Sequence, residues 1–326
     1  MIDDIIQSPF EFVNGRLEID IDNIENNYIN INHIDYFIDW LDPSHPGNKG
    51  GHSFVFRLFD GQEFISRDES VPAKVIKISN ISDYFDSDSN SIIKNDRNKR
   101  FYREIEALEE CNKKNKMNII SVDFYAHLKV KHSTKQGKIS DSYFPFYMMD
   151  YAVDGDLKNF IENNPDLDLS DKLEICYQLA CGLQELNDLG YYHRDLKPDN
   201  IFIFNQQQWK IGDLGLIAYR EEDWDKKNEL IGPKGWLSPE AMNKYLCEGN
   251  QRKYDCKIDH QSDIFQLGKV FWYVLQGNAP IGCINRRDFL EENEKLYVLV
   301  RTMLNYSKEK RIKNISTVVE ELKRMR

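Results

Sequence analysis

The sequence has no run of 18 apolar residues, so we expect no transmembrane helix. Its first residues, Met1 to Asp4, are acidic and lack the basic and apolar regions of a signal peptide. A basic excess is also missing, because the net charge at pH 7 is −11. These absences argue against membrane and nucleic-acid partners and favour protein partners of basic character. We expect a cytoplasmic location, or a soluble one inside a host cell if the protein is an effector.

The six cysteines form no Cys-x-x-Cys pair, and no internal repeat is visible. Their spacing is not typical of a disulfide framework, so we expect reduced thiols. The chain has 326 residues, of which 41% are hydrophobic and 30% are charged. That length is enough for two lobes that each bury a core.

Hydrophobic periodicity changes near residue 151. Before it, alternation typical of strands runs through residues 50–80, and residues 143–151 read as one continuous apolar strand. After it, a helical period predicts helices over 170–189, 262–276 and 315–325. We therefore predict an α+β fold, with a small β-rich lobe followed by a larger helical lobe. Residues 1–44 are an acidic N-terminal extension that we expect to pack on the first lobe.

The most informative segment is residues 192–200, which read Tyr-His-Arg-Asp-Leu-Lys-Pro-Asp-Asn. They fit the pattern H-R-D-L-x-x-x-N, with Asp195 as its aspartate and Asn200 as its asparagine. Asp213 follows 13 residues after Asn200, in an Asp-Leu-Gly turn. Short apolar segments at 201–204 and 209–211 predict a hairpin that returns Asp213 to the same site.

In these residues the chain resembles eukaryotic-type serine/threonine protein kinases, and the resemblance covers roughly residues 45–326. It implies a bilobal protein-kinase-like fold, with the N-lobe at 45–151 and the C-lobe at 152–326. It also implies ATP and Mg²⁺ as cofactors, with Mn²⁺ as an alternative metal, and a protein as the substrate.

The resemblance assigns roles to Asp195, Lys197, Asn200 and Asp213. Phosphoryl transfer needs metal ions, positive charge on the phosphates and a positioned nucleophile. Asp195 is expected to accept the proton of the substrate hydroxyl, and Lys197 to neutralise charge that builds on the γ-phosphate. Asn200 and Asp213 are expected to ligate magnesium through an amide oxygen and a carboxylate.

The lysine that binds the ATP phosphates is ambiguous, because Lys74 and Lys77 both fit the V-A-I-K pattern. Lys74 is followed by two apolar residues, as in the family, but places Pro72 within a strand. Lys77 leaves Pro72 at the strand start, where its missing N–H costs less. We prefer Lys74 and keep Lys77 as the alternative; only one can reach the site, since they point to opposite faces. Glu104 resembles the helix glutamate that pairs with this lysine.

Residues 48–55 resemble the glycine-rich loop that covers the phosphates of ATP, although the match is imperfect. Gly50 holds the middle glycine position, while Asn48 and Ser53 replace the outer two glycines. Val55 is expected to lie against the adenine. Small residues suit a backbone that must approach phosphates closely.

Residues 147–152 resemble the hinge that binds the adenine. Met149 is expected to be the gatekeeper, and the backbones of Asp150 and Ala152 to hydrogen-bond the base. Asp156, which follows Gly155, is placed to meet the ribose.

Other residues resemble structural parts of the large lobe. Residues 236–240 resemble the A-P-E end of the activation segment, and Arg311 is expected to pair with Glu240. Asp263 is expected to hold the backbone of His193 and Arg194.

The segment from Gly215 to Gly232 departs from the family, because it contains no Ser or Thr that an activating kinase would phosphorylate. We hypothesise that Arg194 pairs there with one of the carboxylates at 221–223, so that no activating phosphate is needed. The alternative is that these carboxylates are a solvated run of charge.

Together the motifs predict a kinase that phosphorylates Ser or Thr of proteins, with autophosphorylation. Lys197-Pro198 resembles the serine/threonine group, whereas Pro233 and Trp236 resemble tyrosine kinases and leave tyrosine or dual specificity as an alternative. Two rivals stay open: a pseudokinase that binds partners without catalysis, and a kinase-fold enzyme that acts on a small molecule.

Overall fold

The computed structural model describes residues 5–13, 16–19, 27–41, 53–66, 70–133, 139–220, 222, 224–282 and 284–326. The chain divides into two units, one made of Met1–Ile105 with Ser121–Val153, the other of Glu106–Ile120 with Asp154–Arg326. The first unit is rich in strands and the second is mainly helical. The predicted α+β fold, with a β-rich N-terminal lobe and a helical C-terminal lobe, is confirmed.

Strands dominate the first part of the chain. The strands are β1 (Ile5–Val13), β2 (Arg16–Glu18), β3 (Tyr28–Ile31), β4 (Ile34–Trp40), β5 (Ser53–Asp60), β6 (Lys74–Ser79), β7 (Tyr84–Asp86), β8 (Ser91–Ile93), β9 (Phe124–Ser133) and β10 (Ile139–Asp150). Helix α1 (Lys99–Lys113) lies between β8 and β9. Eight of the strands form one sheet in the order β2-β1-β9-β10-β6-β5-β4-β3. Within it β1 is parallel to β9, and the other pairs are antiparallel.

The described residues of the N-terminal segment join this sheet at both ends, because β1 pairs with β9 and β4 pairs with β5. Phe10 of β1 and Ile29 of β3 are buried in the same apolar cluster as Phe56 of β5. The rings of Phe10 and Phe56 lie 4.7 Å apart between centroids. The sheet therefore curls around an apolar interior, which large aromatic side chains fill.

The polar stretch 82–98 forms the β7–β8 hairpin, and its ends are more buried than its composition indicates. Tyr84 and Ile93 are exposed on the hairpin, but Asp83 is buried. Its carboxylate accepts hydrogen bonds from Tyr102 of α1 and His127 of β9. Burial raises the pKa of Asp83, and these hydrogen bonds outweigh that effect and hold it below its usual value.

Helices dominate the second unit. Its elements after α1 are α2 (Leu157–Asn163), α3 (Leu169–Asp188), β11 (Tyr191–Tyr192), β12 (Ile201–Phe204), β13 (Gln208–Ile211), β14 (Ala218–Tyr219), α4 (Pro239–Cys247), α5 (His260–Gln276), α6 (Glu294–Met303) and α7 (Ile315–Met325). The helices predicted over 170–189, 262–276 and 315–325 correspond to α3, α5 and α7.

Helix α5 is the core of the second unit. Almost all of its side chains are buried, and it begins with a capping box between Asp259 and Ser262. It ends at Gly277, whose φ of 73° is the left-handed conformation that glycine adopts at little cost. Among the described residues, no helix combines the length and apolar character needed to cross a bilayer.

Candidate active site

The catalytic segment 193–200 lies between β11 and β12 and is anchored on α5. The carboxylate of Asp263 accepts the backbone N–H of His193 at 2.8 Å and that of Arg194 at 2.7 Å. The expected role of Asp263 is therefore confirmed. Burial raises its pKa to about 7, and the two N–H groups oppose that shift.

His193 links the two halves of the site through its ring nitrogens. The backbone N–H of Asp195 lies 3.1 Å from Nδ1, and the carbonyl of Gly212 lies 3.1 Å from Nε2. Nδ1 must accept and Nε2 must donate, so the ring is neutral. Burial lowers the pKa of His193 to about 4, which agrees with a neutral ring. The side chain thus holds the backbone of Asp195 itself and that of Gly212, the residue before Asp213.

Asp195, Lys197 and Asn200 lie together. The amide nitrogen of Asn200 donates to the backbone carbonyl and to Oδ2 of Asp195, both at 2.9 Å. Lys197 places its Nζ 3.8 Å from the same Oδ2. These contacts orient the Asp195 carboxylate and leave the amide oxygen of Asn200 as the atom suited to a cation.

Asp213 is returned to this segment by the predicted hairpin, which is confirmed as β12 paired with β13. The backbone N–H of Gly212 donates to the carbonyl of Asn200 at 2.8 Å. Asp213 itself has φ 52°, a left-handed conformation that Asp tolerates better than most residues.

The donor set of Asn200 and Asp213 fits magnesium, because an amide oxygen and a carboxylate are the hard oxygen ligands that this ion prefers. Among the described residues, no group of three or more His, Cys, Asp or Glu side chains is arranged to hold a metal ion. Such a pair fits a Mg²⁺ ion that takes its remaining ligands from phosphates and water.

Arg194 pairs with a carboxylate, but not with one of those expected. Its guanidinium binds Asp225 in a two-pronged ion pair, with Nη1–Oδ2 at 2.7 Å and Nη2–Oδ1 at 3.1 Å. Its Nε also donates to the carbonyl of Leu216 at 2.7 Å. Glu222 is exposed, and Glu221 and Asp223 lie outside the described residues. The expected carboxylate partner at 221–223 is corrected to Asp225, which lies just beyond that run and reaches Arg194 across 31 residues of the chain.

The lysine that pairs with Glu104 is Lys77, and the preference for Lys74 was wrong. Nζ of Lys77 lies 2.8 and 3.1 Å from the two oxygens of Glu104, and both residues are buried. The hydroxyl of Tyr147 donates to Glu104 at 3.0 Å. The physical reason is that β6 begins at Lys74, so Pro72 precedes the strand and Lys77 lies in its interior.

Lys74 instead joins two acidic residues of the first unit. Its Nζ lies 2.6 Å from Asp123 and 2.6 Å from Asp150. Burial lowers the pKa of Lys74, but hydrogen bonds to the two carboxylates outweigh this effect. The pKa of Lys74 therefore lies above its usual value. The side chain therefore ties the end of β10 to the segment before β9. Sequence reasoning missed this pairing because nothing near Lys74 in the chain indicates it.

The face of the sheet that carries Lys77 also carries expected nucleotide-binding residues. Val55 and Tyr147 lie opposite Lys77 on the neighbouring strands, and Met149 is two residues from Tyr147. Ser53 begins β5. The positions expected for Asn48 and Gly50 lie outside the described residues.

The remaining nucleotide candidates lie at the end of β10 and the start of α2. Asp150 is the last residue of β10, and Ala152 follows it in an irregular segment. Asp156 is the N-cap of α2, where its carboxylate accepts the N–H of Asn159 at 2.8 Å. Its other oxygen accepts from the side-chain amide of Asn159 at 2.9 Å, so the carboxylate also stabilises the helix start.

Glu240 of α4 and Arg311, which lies between α6 and α7, form a buried ion pair, as expected. Arg311 binds Glu240 through Nη2–Oε1 at 2.9 Å and Nη1–Oε2 at 3.2 Å. Ser262 donates to the same carboxylate at 3.0 Å. Because both charges are buried and hydrogen-bonded, removing either one would leave the other unpaired.

A loop of this geometry, carried by a helical unit and preceded by a β-rich unit with a buried lysine–glutamate pair, is typical of protein kinase domains. The family model for the protein kinase domain matches residues 68–325. The chain belongs to the protein kinase family.

The chain is similar to kinases of both specificities. It is 31% identical to the serine/threonine-protein kinase CLA4 of Candida albicans, over 41% of this chain and 13% of that protein. It is 30% identical to the serine/threonine-protein kinase cds1 of Schizosaccharomyces pombe, over 45% of this chain and 31% of that protein. It is 28% identical to the discoidin domain-containing receptor tyrosine kinase B of Caenorhabditis elegans, over 46% of this chain and 18% of that protein. The chain spans less than a third of the length of these curated relatives.

Proposed function

We propose that this protein is an ATP- and Mg²⁺-dependent kinase that transfers the γ-phosphoryl group to Ser or Thr of protein substrates and of itself. The observation that carries the proposal is the bonded cluster of Asp195, Lys197 and Asn200, held by His193 and Asp263. A scaffold that served only for binding has no need to orient a carboxylate in this way.

Within this proposal the side chains of Asp195, Lys197, Asn200 and Asp213 act on the substrate hydroxyl, the phosphates and the metal ion. Asp195 accepts the proton of the substrate hydroxyl and orients its oxygen, which Asn200 and Lys197 make possible by fixing the carboxylate. Lys197 neutralises charge that develops on the transferred phosphoryl group. Asn200 and Asp213 would hold Mg²⁺, which would supply positive charge to offset that of the phosphates; Mn²⁺ is the alternative ion.

The first unit supplies the nucleotide contacts other than that of Asp156, which belongs to the second unit. Lys77, oriented by Glu104 and Tyr147, is the cation for the ATP phosphates. Val55 and Met149 line the adenine, and the backbones of Asp150 and Ala152 hydrogen-bond it. Gly50 and Ser53 approach the phosphates, and Asp156 meets the ribose. We assign residues 45–326 to the kinase domain, with the N-lobe at 45–151, the C-lobe at 152–326, and 1–44 as an extension.

Specificity for Ser and Thr is supported by Lys197, two residues after Asp195, and by relatives named as serine/threonine kinases. The net charge of −11 supports basic protein substrates. The matched receptor tyrosine kinase makes tyrosine specificity the second candidate.

The proposal is tested by phosphate transfer from radiolabelled ATP with Mg²⁺, to the protein itself and to a basic protein substrate. Phosphoamino-acid analysis should find label on Ser or Thr, and label on Tyr alone would favour the second candidate. Absence of transfer from folded protein that still binds ATP, over a range of concentrations, would establish a pseudokinase.

We also propose that Asp225 takes the place of an activating phosphate. Asp225 and Arg194 are both nearly buried, with 6% and 5% of their side chains exposed, so the pair is little screened by solvent. Phosphatase-treated enzyme should therefore keep its activity. Asp225→Asn should lower kcat by about tenfold or more, because Arg194 would stay buried without its counter-charge.

The matched control for Asp225→Asn is Glu222→Gln, which removes the same charge from an exposed position of the same segment. We expect Glu222→Gln to leave kcat within about twofold, as surface charges contribute little. Loss of activity after phosphatase treatment, or equal effects of the two substitutions, would contradict the role of Asp225.

A further inference from the structure

Arg194, the residue before Asp195, has a strained backbone. Its φ is 68°, in the left-handed region that costs a non-glycine residue about 1–3 kcal/mol. Such a conformation persists only where the surroundings fix it on several sides. Asp263 bonds the N–H of Arg194, but it does not contact the peptide groups that directly flank Asp195.

The side chain of Gln266 contacts both of those peptide groups. Its Nε2 donates to the carbonyl of Arg194 at 3.2 Å, and its Oε1 accepts the N–H of Leu196 at 3.3 Å. Gln266 lies three positions after Asp263 on α5 and is 2% exposed. One amide thus bonds the backbone immediately before and immediately after Asp195.

With Gln266 included, every polar backbone group from Arg194 to the N–H of Leu196 has a partner. The N–H of Asp195 donates to His193, and its carbonyl accepts from Asn200. The N–H of Arg194 donates to Asp263. The two remaining groups, the carbonyl of Arg194 and the N–H of Leu196, hydrogen-bond Gln266.

We propose that Gln266 is a positioning residue for catalysis: its amide clamps the two peptide groups around Asp195 and so sets the direction of the carboxylate. The inference rests on the proposed kinase function. Only a side chain that donates and accepts at once satisfies both groups, and in a buried site each unsatisfied group costs about 1–3 kcal/mol. Because proton acceptance depends on position, a displacement of about 1 Å can cost about 100-fold in rate.

The test compares Gln266→Met with Gln261→Met. Gln261 is also a buried glutamine of α5, but its amide donates to the carbonyls of Lys308 and Ile312, away from the catalytic segment. Both substitutions remove a buried amide from the same helix, so they should destabilise the protein to a similar extent. This matching separates positioning from stability.

We expect Gln266→Met to lower kcat by about 10- to 100-fold, with KM for ATP within about threefold, because ATP binding does not depend on the direction of Asp195. Amide hydrogen exchange at Leu196, measured without substrate, should accelerate in Gln266→Met and stay unchanged in Gln261→Met. Gln261→Met should keep kcat within about twofold of the unmodified enzyme.

If Gln266→Met does not fold, Gln266→Asn keeps an uncharged amide that is one methylene too short to bond both peptide groups, and should give a smaller loss of kcat. An unchanged kcat in the folded variant, or equal losses in Gln266→Met and Gln261→Met, would overturn the inference while the kinase activity stands. An inactive unmodified enzyme would instead overturn the proposed function, and unaltered exchange at Leu196 would then overturn the clamp as well.

Discussion

Asp213→Asn is expected to abolish phosphoryl transfer, with kcat lowered by at least about 1,000-fold. The carboxylate is the only anionic ligand assigned to the metal, and several kcal/mol of charge stabilisation correspond to that factor. Asparagine has nearly the same shape and tolerates the left-handed φ of 52° at this position, so the fold should be retained. Steady-state transfer of labelled phosphate to a basic protein measures the effect.

A suitable control is Asp166→Asn, which removes a carboxylate from an exposed position of the second unit. It should leave kcat unchanged within about twofold, as expected of a surface charge. If Asp213→Asn retained more than a tenth of the activity at saturating Mg²⁺, Asp213 could not be the metal ligand. A restored rate at high Mn²⁺ would support the assignment, because it indicates a weakened metal site.

Lys77→Met and Lys74→Met are expected to differ strongly, although the two lysines are three positions apart on one strand. Lys77→Met should lower kcat/KM by about 100-fold or more, since it removes the cation assigned to the phosphates. Lys74→Met should change kcat/KM by less than about threefold, because a partly exposed ion pair contributes about 1 kcal/mol or less. Each rate should be normalised to folded protein, since Lys77→Met also leaves Glu104 buried without its counter-charge.

The reverse order of effects would contradict the assignment of Lys77. Measurement of ATP affinity by a spectroscopic titration distinguishes the two possible causes of a lost rate. Weaker ATP binding with unchanged thermal stability would indicate that Lys77 acts on the nucleotide, as proposed. Unchanged binding with a large fall in Tm would indicate that the Lys77–Glu104 pair only stabilises the first unit.

The catalytic segment could be read from the sequence because its parts are close in the chain. Asp195, Lys197 and Asn200 lie within six residues, and one short hairpin separates them from Asp213. In such a segment the spacing itself fixes which side chains can meet. The long-range pairs Arg311–Glu240 and Asp263–His193 were also predicted, but through resemblance to the family rather than through local pattern.

Residues whose partners lie far along the chain were not resolved in this way. The choice between Lys74 and Lys77 depends on where β6 begins and on which face meets Glu104, 27 residues away. Asp225 reaches Arg194 across 31 residues, through a segment with no recognisable motif. An exposed run of acidic residues and a buried acidic partner of Arg194 have the same composition. The sequence therefore could not distinguish between them.

The sequence by itself indicated the protein family, the β-rich and helical parts, and the residues of the catalytic segment. It did so because periodicity and short spacings are local properties of the chain. Only the tertiary structure decided which lysine pairs with Glu104, which carboxylate neutralises Arg194, and that Gln266 reaches both sides of Asp195. The physical reason is that a hydrogen bond or ion pair depends on distance in space. Packing of the sheet and of α5 brings together residues that are far apart in the chain, such as Gln266 and Arg194, which are 72 positions apart.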